Sequence, residues 1–241
     1  MKFGRLTILL LLIPGVAFSQ ASSGQAGEVQ YVEGDVFVGD ELVVVDAEKP
    51  LVLKLKQRLR TEAGNAEMLF ALGSFVRVGT DSEIEMVDAG LTSATIRLHR
   101  GSIIIDVFRV WGADSLKVLV GESEMVFTDG GEFRFDLAAD GRLSLHVLSG
   151  KGVLSALGDD QKLKKKQLAQ LSGQGIAVGK FKNFPADSFT AWHEERADTI
   201  LAAIPKDQRR KKRVGYKDGV FHEARSPFGA RDLPDRSSAG L

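Results

Sequence analysis

A histidine followed by carboxylates at helical spacing is what a zinc hydrolase would show, and His193-Glu194-Glu195-Arg196-Ala197 begins that way. Such a helix needs a second imidazole one turn on, so that two rings meet one ion. That position is Ala197, and the metal reading stops there. Gly121-Glu122-Ser123-Glu124-Met125 starts like a nucleophile elbow but lacks the closing glycine that lets the strained turn form. Asp81, Glu83 and Glu85 share one side of a strand. Paired carboxylates can move protons, but here they read as an outward polar face. His99 and His146 fall on polar strand faces and read as surface histidines, while Trp111 and Trp192 read as packing residues. No glycine-rich run ends in the Lys-Ser/Thr that cradles phosphate. The absence of cysteine excludes disulfides, thiolate zinc sites, iron–sulfur ligation and cysteine nucleophiles together. No residue is therefore assigned to catalysis, a cofactor or a metal, and the chain reads as non-enzymatic.

The elements that carry these residues are short strands. Glycines recur at 64, 73, 79, 90, 101, 112, 121, 130, 141 and 150, mostly 9 to 11 residues apart. Between them, apolar and polar residues alternate. Ala94, Ile96 and Leu98 oppose Arg97 and His99; Phe133, Phe135 and Leu137 oppose Arg134 and Asp136; Leu143, Leu145 and Val147 oppose Arg142, Ser144 and His146. Leu116, Val118 and Val120 repeat the pattern, and a weaker version surrounds Gly34 in Val29–Val38. Period-two alternation between turn residues is the signature of half-buried strands. Ser102–Trp111 is more continuously apolar, which predicts cover on both faces. The class is all-β; the regular glycines favour a β-solenoid, with a β-sandwich as the alternative. Asp159–Lys166 reads as a charged loop or hairpin tip, and strand character resumes over 167–182. Asp187 is placed to cap a helix running to Ile204, with Phe189, Trp192, Ile200 and Ala203 at helical spacing before Pro205. Phe189 and Trp192 are its candidate packing or interaction residues.

The two ends differ from this body. Lys2 and Arg5 precede an apolar stretch, Leu6–Val16, and Ala17-Phe18-Ser19 puts small residues before Gln20. That is the layout of a secretory signal peptide, too short and too broken by Pro14-Gly15 to span a bilayer comfortably. The expected location is the bacterial periplasm or the extracellular space, with no membrane span after cleavage. The zero net charge of the 241 residues conceals an acidic body, with 13 basic and 21 acidic residues over 20–158, and a basic remainder, with 17 and 11 over 159–241. Six of the eight residues from Lys206 to Arg213 are basic: Lys206, Arg209, Arg210, Lys211, Lys212 and Arg213. In an exported chain this run suits an anionic surface rather than nucleic acid. Beyond Pro205 the composition is that of a disordered tail.

Residues 59–86 resemble the opening of the FecR domain. The family's Leu-x-Thr-x-x-Gly falls on Leu59, Thr61 and Gly64, its Gly-Ser on Gly73-Ser74, and a following Ser on Ser82. Leu98-His99-Arg100-Gly101, Gly130-Gly131-Glu132-Phe133 (without the usual Thr), Val147-Leu148-Ser149-Gly150 and Leu171-Ser172-Gly173-Gln174 resemble later motifs. The likeness spans about residues 27–182 and implies an all-β, solenoid-like domain. FecR-type regulators sense an outer-membrane receptor and control a sigma factor through a cytoplasmic segment. That segment and its anchor are missing here, so sigma-factor control is not carried over. The resulting layout is a signal peptide at 1–19, a polar leader at 20–27, a FecR-like β domain at 28–182, a helix at 187–204 and a basic tail at 205–241. The function expected is binding of another envelope component, protein or polymer, as a sensor or scaffold. A structural module held at an anionic surface by the tail, or a β-solenoid enzyme acting on carbohydrate, are the alternatives. N-terminal sequencing of the exported protein should begin at Gln20; an intact Met1 in membrane-embedded material would refute cleavage.

Overall fold

The structure is a computed structural model that describes residues 25–46, 49–90 and 92–203. The expected signal segment 1–19, most of the expected leader and the basic run from Lys206 to Arg213 lie outside the described residues. The chain opens with β1 (Val29–Val38), β2 (Glu41–Leu42), β3 (Arg58–Ala71), β4 (Ser74–Val78) and β5 (Glu83–Ala89). It continues through β6 (Ala94–Val107), β7 (Leu116–Val120), β8 (Ser123–Asp129), β9 (Gly131–Leu137) and β10 (Leu143–Val147). β11 (Lys151–Ala156), β12 (Asp159–Lys164), β13 (Gln167–Ser172) and β14 (Gly175–Lys180) precede a single helix, α1 (Ser188–Ala203). The all-β class with one C-terminal helix is thus what the chain adopts. No helix among the described residues is long and apolar enough to cross a membrane.

Three long strands organise the rest, because each pairs with different partners along its length. The start of β3 pairs with β5 and its end with β4. The start of β6 pairs with β5 and β7, and its second half with β4 and β9. β1 follows β3 through both parts, with a register shift between Gly34 and Val36. Two half-sheets result. One runs through β5, the start of β6, β7, β8, β11 and β12; the other runs through β4, the end of β6, β9, β10, β13 and β14. Their inner faces meet: the Phe127 ring of β8 lies 4.6 Å from Phe133 and 6.4 Å from Phe135 of β9. Residues of both halves, from Leu59, Ile84 and Val118 to Val76, Ile105 and Leu145, form one buried cluster. The register therefore gives one sheet folded over a shared core. Every pairing among the named strands is antiparallel except β6 with β7. Gly73, Gly90, Gly121 and Gly141 sit in hairpin turns, whereas Gly64 and Gly101 lie within β3 and β6, and Gly79, Gly130 and Gly150 lie where the chain crosses between half-sheets.

The folding-over depends on missing side chains. Gly101 sits where β6 passes from one half-sheet to the other, at φ +81°, and a Cβ there would lie 2.2 Å from Ser82 Oγ and 2.6 Å from Ser82 Cα. Gly34 and Gly64 face each other where β1 and β3 make the same passage, and a Cβ on Gly64 would stand 2.5 Å from the Glu33 carbonyl oxygen. Only glycine lets backbones approach this closely.

Two details depart from the sequence reading. Residues 159–164 form a strand, β12, paired along its length with β11. Leu163 points into the core while Asp159, Asp160, Lys162 and Lys164 stay in water. One inward leucine suffices for an edge strand, and the charges protect its open side from further pairing. Trp111 is 37% exposed in the connection after β6 and lies against Arg109, whose guanidinium carbon is 4.6 Å from the ring centroid; it is not a core residue. Gly101→Ala should cost about 2–4 kcal/mol of stability in urea unfolding. Gly112→Ala, in open space, should change it by less than about 0.5 kcal/mol.

Candidate functional site

The outward face of the second half-sheet should meet water, since strands present alternate residues to opposite sides. Instead α1 lies across it. Asp187 begins the helix: its Oδ1 accepts the Thr190 backbone N–H at 2.9 Å, which satisfies one of the N–H groups that a first turn leaves free. From there Phe189, Thr190, Trp192, His193 and Ala197 turn inward, while Glu194, Glu195 and Asp198 stay outside. Phe189 and Trp192 stack with centroids 6.3 Å apart and close over Ile104 of β6. Both are 8% exposed, so the two aromatics singled out from the sequence face the protein's own sheet. Ile104 explains the doubly covered stretch of β6: its neighbours Ile103 and Ile105 enter the main core.

Three apolar side chains make a small contact for a sixteen-residue helix, and most of the interface is charged. Arg77 of β4 is wholly buried. Its Nε donates to Glu67 Oε2 of β3 at 2.8 Å, and its Nη1 donates to Asp106 of β6 and to His193 Nδ1 at 2.9 Å. His193 Nε2 lies 3.0 Å from Glu132 Oε1 of β9. Arg196 reaches back to Glu67 Oε1 at 2.7 Å and stacks 3.9 Å over the Tyr31 ring. The Trp192 indole N–H donates to Glu33 at 2.8 Å. At the other end Arg134 donates to both Asp187 oxygens, at 2.9 and 2.6 Å, and to Thr190 Oγ1 at 2.8 Å. It also holds Asp136 at 2.9 Å.

Electrostatics follow from these contacts. The Arg134 hydrogen bonds hold the Asp187 carboxyl down to about 2, against the usual carboxylate value of 3.8. Burial pushes the Glu132 carboxyl up, with the nearby Asp106 charge adding to it, against the opposing pull of His193 and Arg77. Asp106, Glu132 and His193 bring ligand-type atoms within 4.8 Å of one another, the grouping that would hold a metal. The ring nitrogens argue otherwise. A guanidinium only donates, so His193 Nδ1 accepts from Arg77 and the ring's single N–H is at Nε2, facing Glu132. A metal at Nε2 would need an imidazolate, beside a fixed cation. The cluster is built as a lock between helix and sheet.

The remaining sequence candidates lie elsewhere. Glu83 and Glu85 pair with Arg58, Arg100 and His99 on the outside of the first half-sheet, as an outward polar face should. His146 is more covered than a surface histidine: Phe181 and Phe184 meet its ring edge-on at 5.2 and 5.8 Å. Burial therefore pulls its pKa below the usual 6.5. An open groove of about 740 Å³ beside it is lined in part by Ser102, Asp136, Arg142 and Gln170, and Ser102 already donates to Asp136 at 2.7 Å. Sequence reasoning assigned no role to Arg77, Glu67, Asp106 or Glu132. Their signal was a charge set inside an apolar run, as in Phe75-Val76-Arg77-Val78 and Ile103-Ile104-Ile105-Asp106-Val107.

Trp192→Ala should destabilise the whole unit by about 3–5 kcal/mol in urea unfolding. Asp187 contributes stability that is present above its ordinary value, 3.8, and is lost as pH falls toward about 2. Asp187→Asn should lack that acid-side loss, so its stability profile should be flatter than wild type between pH about 4 and about 2.

No family model and no curated relative matches the chain. Among solved structures, it is similar to two of a candidate anti-sigma factor from Parabacteroides distasonis ATCC 8503. The one at 1.65 Å has a TM-score of 0.46 at 15% identity, covering 56% of this chain and 64% of that one. The other, at 2.50 Å, has a TM-score of 0.44 at 16% identity, covering 60% and 70%.

Proposed function

We propose that this chain is a non-enzymatic, exported module of the bacterial cell envelope that binds another envelope component and serves as a sensor or scaffold. The resemblance to FecR motifs along residues 59–174 supports a regulatory, receptor-facing role. The observation that carries the binding part is a run of apolar side chains left in water along one segment. Leu42, Val44 and Leu55 are 57%, 75% and 57% exposed, and Val45 lies beside them in sequence at 37%. Leu42 ends β2, and Val44, Val45 and Leu55 fall in the connection between β2 and β3; exposed apolar residues grouped along one segment suit a partner contact. The non-enzymatic part is supported by the charges beneath α1, which are engaged in fixed pairs that orient a helix rather than face a cleft.

The test is binding of the chain from Gln20 onward to isolated envelopes. Saturable binding should weaken about tenfold or more when Val44 and Leu55 are both changed to Asp, with the urea midpoint unchanged. Binding insensitive to those changes, but abolished by neutralising Lys206, Arg209, Arg210, Lys211, Lys212 and Arg213, would replace this reading with a module held by its tail. Release of polysaccharide fragments by the purified chain would overturn the non-enzymatic reading.

A further inference from the structure

We propose that α1 is a proton-coupled latch, docking with one proton taken up by the Glu132 carboxyl and loosening as that proton leaves at higher pH. The inference goes beyond the proposed function and does not depend on any partner. Its basis is the charge facing the buried middle of the helix. Glu67 of β3, Arg77 of β4, Asp106 of β6 and Glu132 of β9 meet His193 and Arg196 of α1. With His193 neutral, that is three carboxylates against two guanidiniums. The flanking groups do not correct the balance: at the first turn Arg134 is met by Asp136 and Asp187, and near the far end Glu33 takes the Trp192 N–H. A net negative charge in a site from which water is excluded is costly, and a bound proton removes it.

Geometry says which group takes the proton. Both oxygens of Glu67 receive guanidinium N–H groups, and Asp106 receives Arg77 Nη1. His193 Nδ1 is already engaged as the acceptor of an Arg77 N–H 2.9 Å away. Glu132 accepts the imidazole N–H at 3.0 Å, has an Asp106 carboxylate oxygen within 4.8 Å, and is 4% exposed. Its Oε1 accepts from His193 Nε2 in either state, so the proton sits on Oε2. The upward push on this carboxyl from burial agrees. The sign follows: a carboxyl whose value is raised by docking stabilises the docked state fully below its ordinary value. That contribution is lost as pH rises to its own midpoint.

The experiment uses Trp111→Phe as the parent, leaving Trp192 as the chain's remaining tryptophan; Trp111 lies in an exposed connection outside the latch. Urea unfolding followed by Trp192 emission should show stability falling as pH rises from 5 to 8. The unfolding constant should rise by about tenfold per pH unit until the Glu132 midpoint is reached, then level off. Glu132→Gln keeps the acceptor for His193 and imitates the protonated acid, so its profile should lack that fall and keep only the rise toward pH 6.5 that the lowered His146 pKa contributes to both chains. Parallel profiles for parent and variant would overturn the proposal. If the variant does not fold, a ¹³C titration of the Glu132 carboxyl in the native chain decides: a midpoint above the ordinary carboxylate range supports the latch, and one at or below it refutes it.

Discussion

A guanidinium wholly out of water must be answered on several sides, and Arg77 sets that requirement for the outer layer of this protein. Taking such a cation from water costs several kcal/mol unless hydrogen bonds and opposite charge replace the hydration. Glu67 and Asp106 come from the strands on either side, so they are in place once β3, β4 and β6 have paired. His193 comes from α1, and without the helix Arg77 would lose one acceptor and gain a wet surface. The sheet thus presents a charged face that is complete only when one particular helix lies on it, in one register.

This way of holding a helix differs from burying an apolar stripe. An apolar underside would be sticky when bare, whereas a strip of arginines and carboxylates is content in water. The main core lies on the other side of the sheet, between the two half-sheets. The charged contacts fix the register of the helix, and the aromatic pair over Ile104 adds apolar burial.

The inner layer obeys a simpler rule. One core serves both halves because β1, β3 and β6 each run through the fold-over, and they do so where Gly34, Gly64 and Gly101 remove the side chains that would collide. Alternation then sorts residues by face: Phe133, Phe135, Leu143 and Leu145 go inward, while Glu132, Arg134, Ser144 and His146 go outward. The outward set would be ordinary surface on an isolated sheet. It becomes a site only because the chain returns across it after β14.

Local pattern determined a good deal of this. The all-β class, most strand positions, the Asp187 cap and the inward pair Phe189 and Trp192 were legible, since each depends on neighbours within a few residues: alternation, turn glycines and helical spacing. The edge strand at 159–164 was hidden because a single inward leucine is too weak a period to see. What tertiary structure alone decided is the pairing of charges distant in the chain. Nothing near Arg77 announces Glu67, Asp106 and His193 as its partners, and His193 read as a failed zinc motif when seen only with its own helix. Glycine spacing told where the chain turns, but not whether the turns stack parallel rungs or close hairpins. That choice is made by hydrogen bonds between strands far apart in sequence, which local periodicity does not encode.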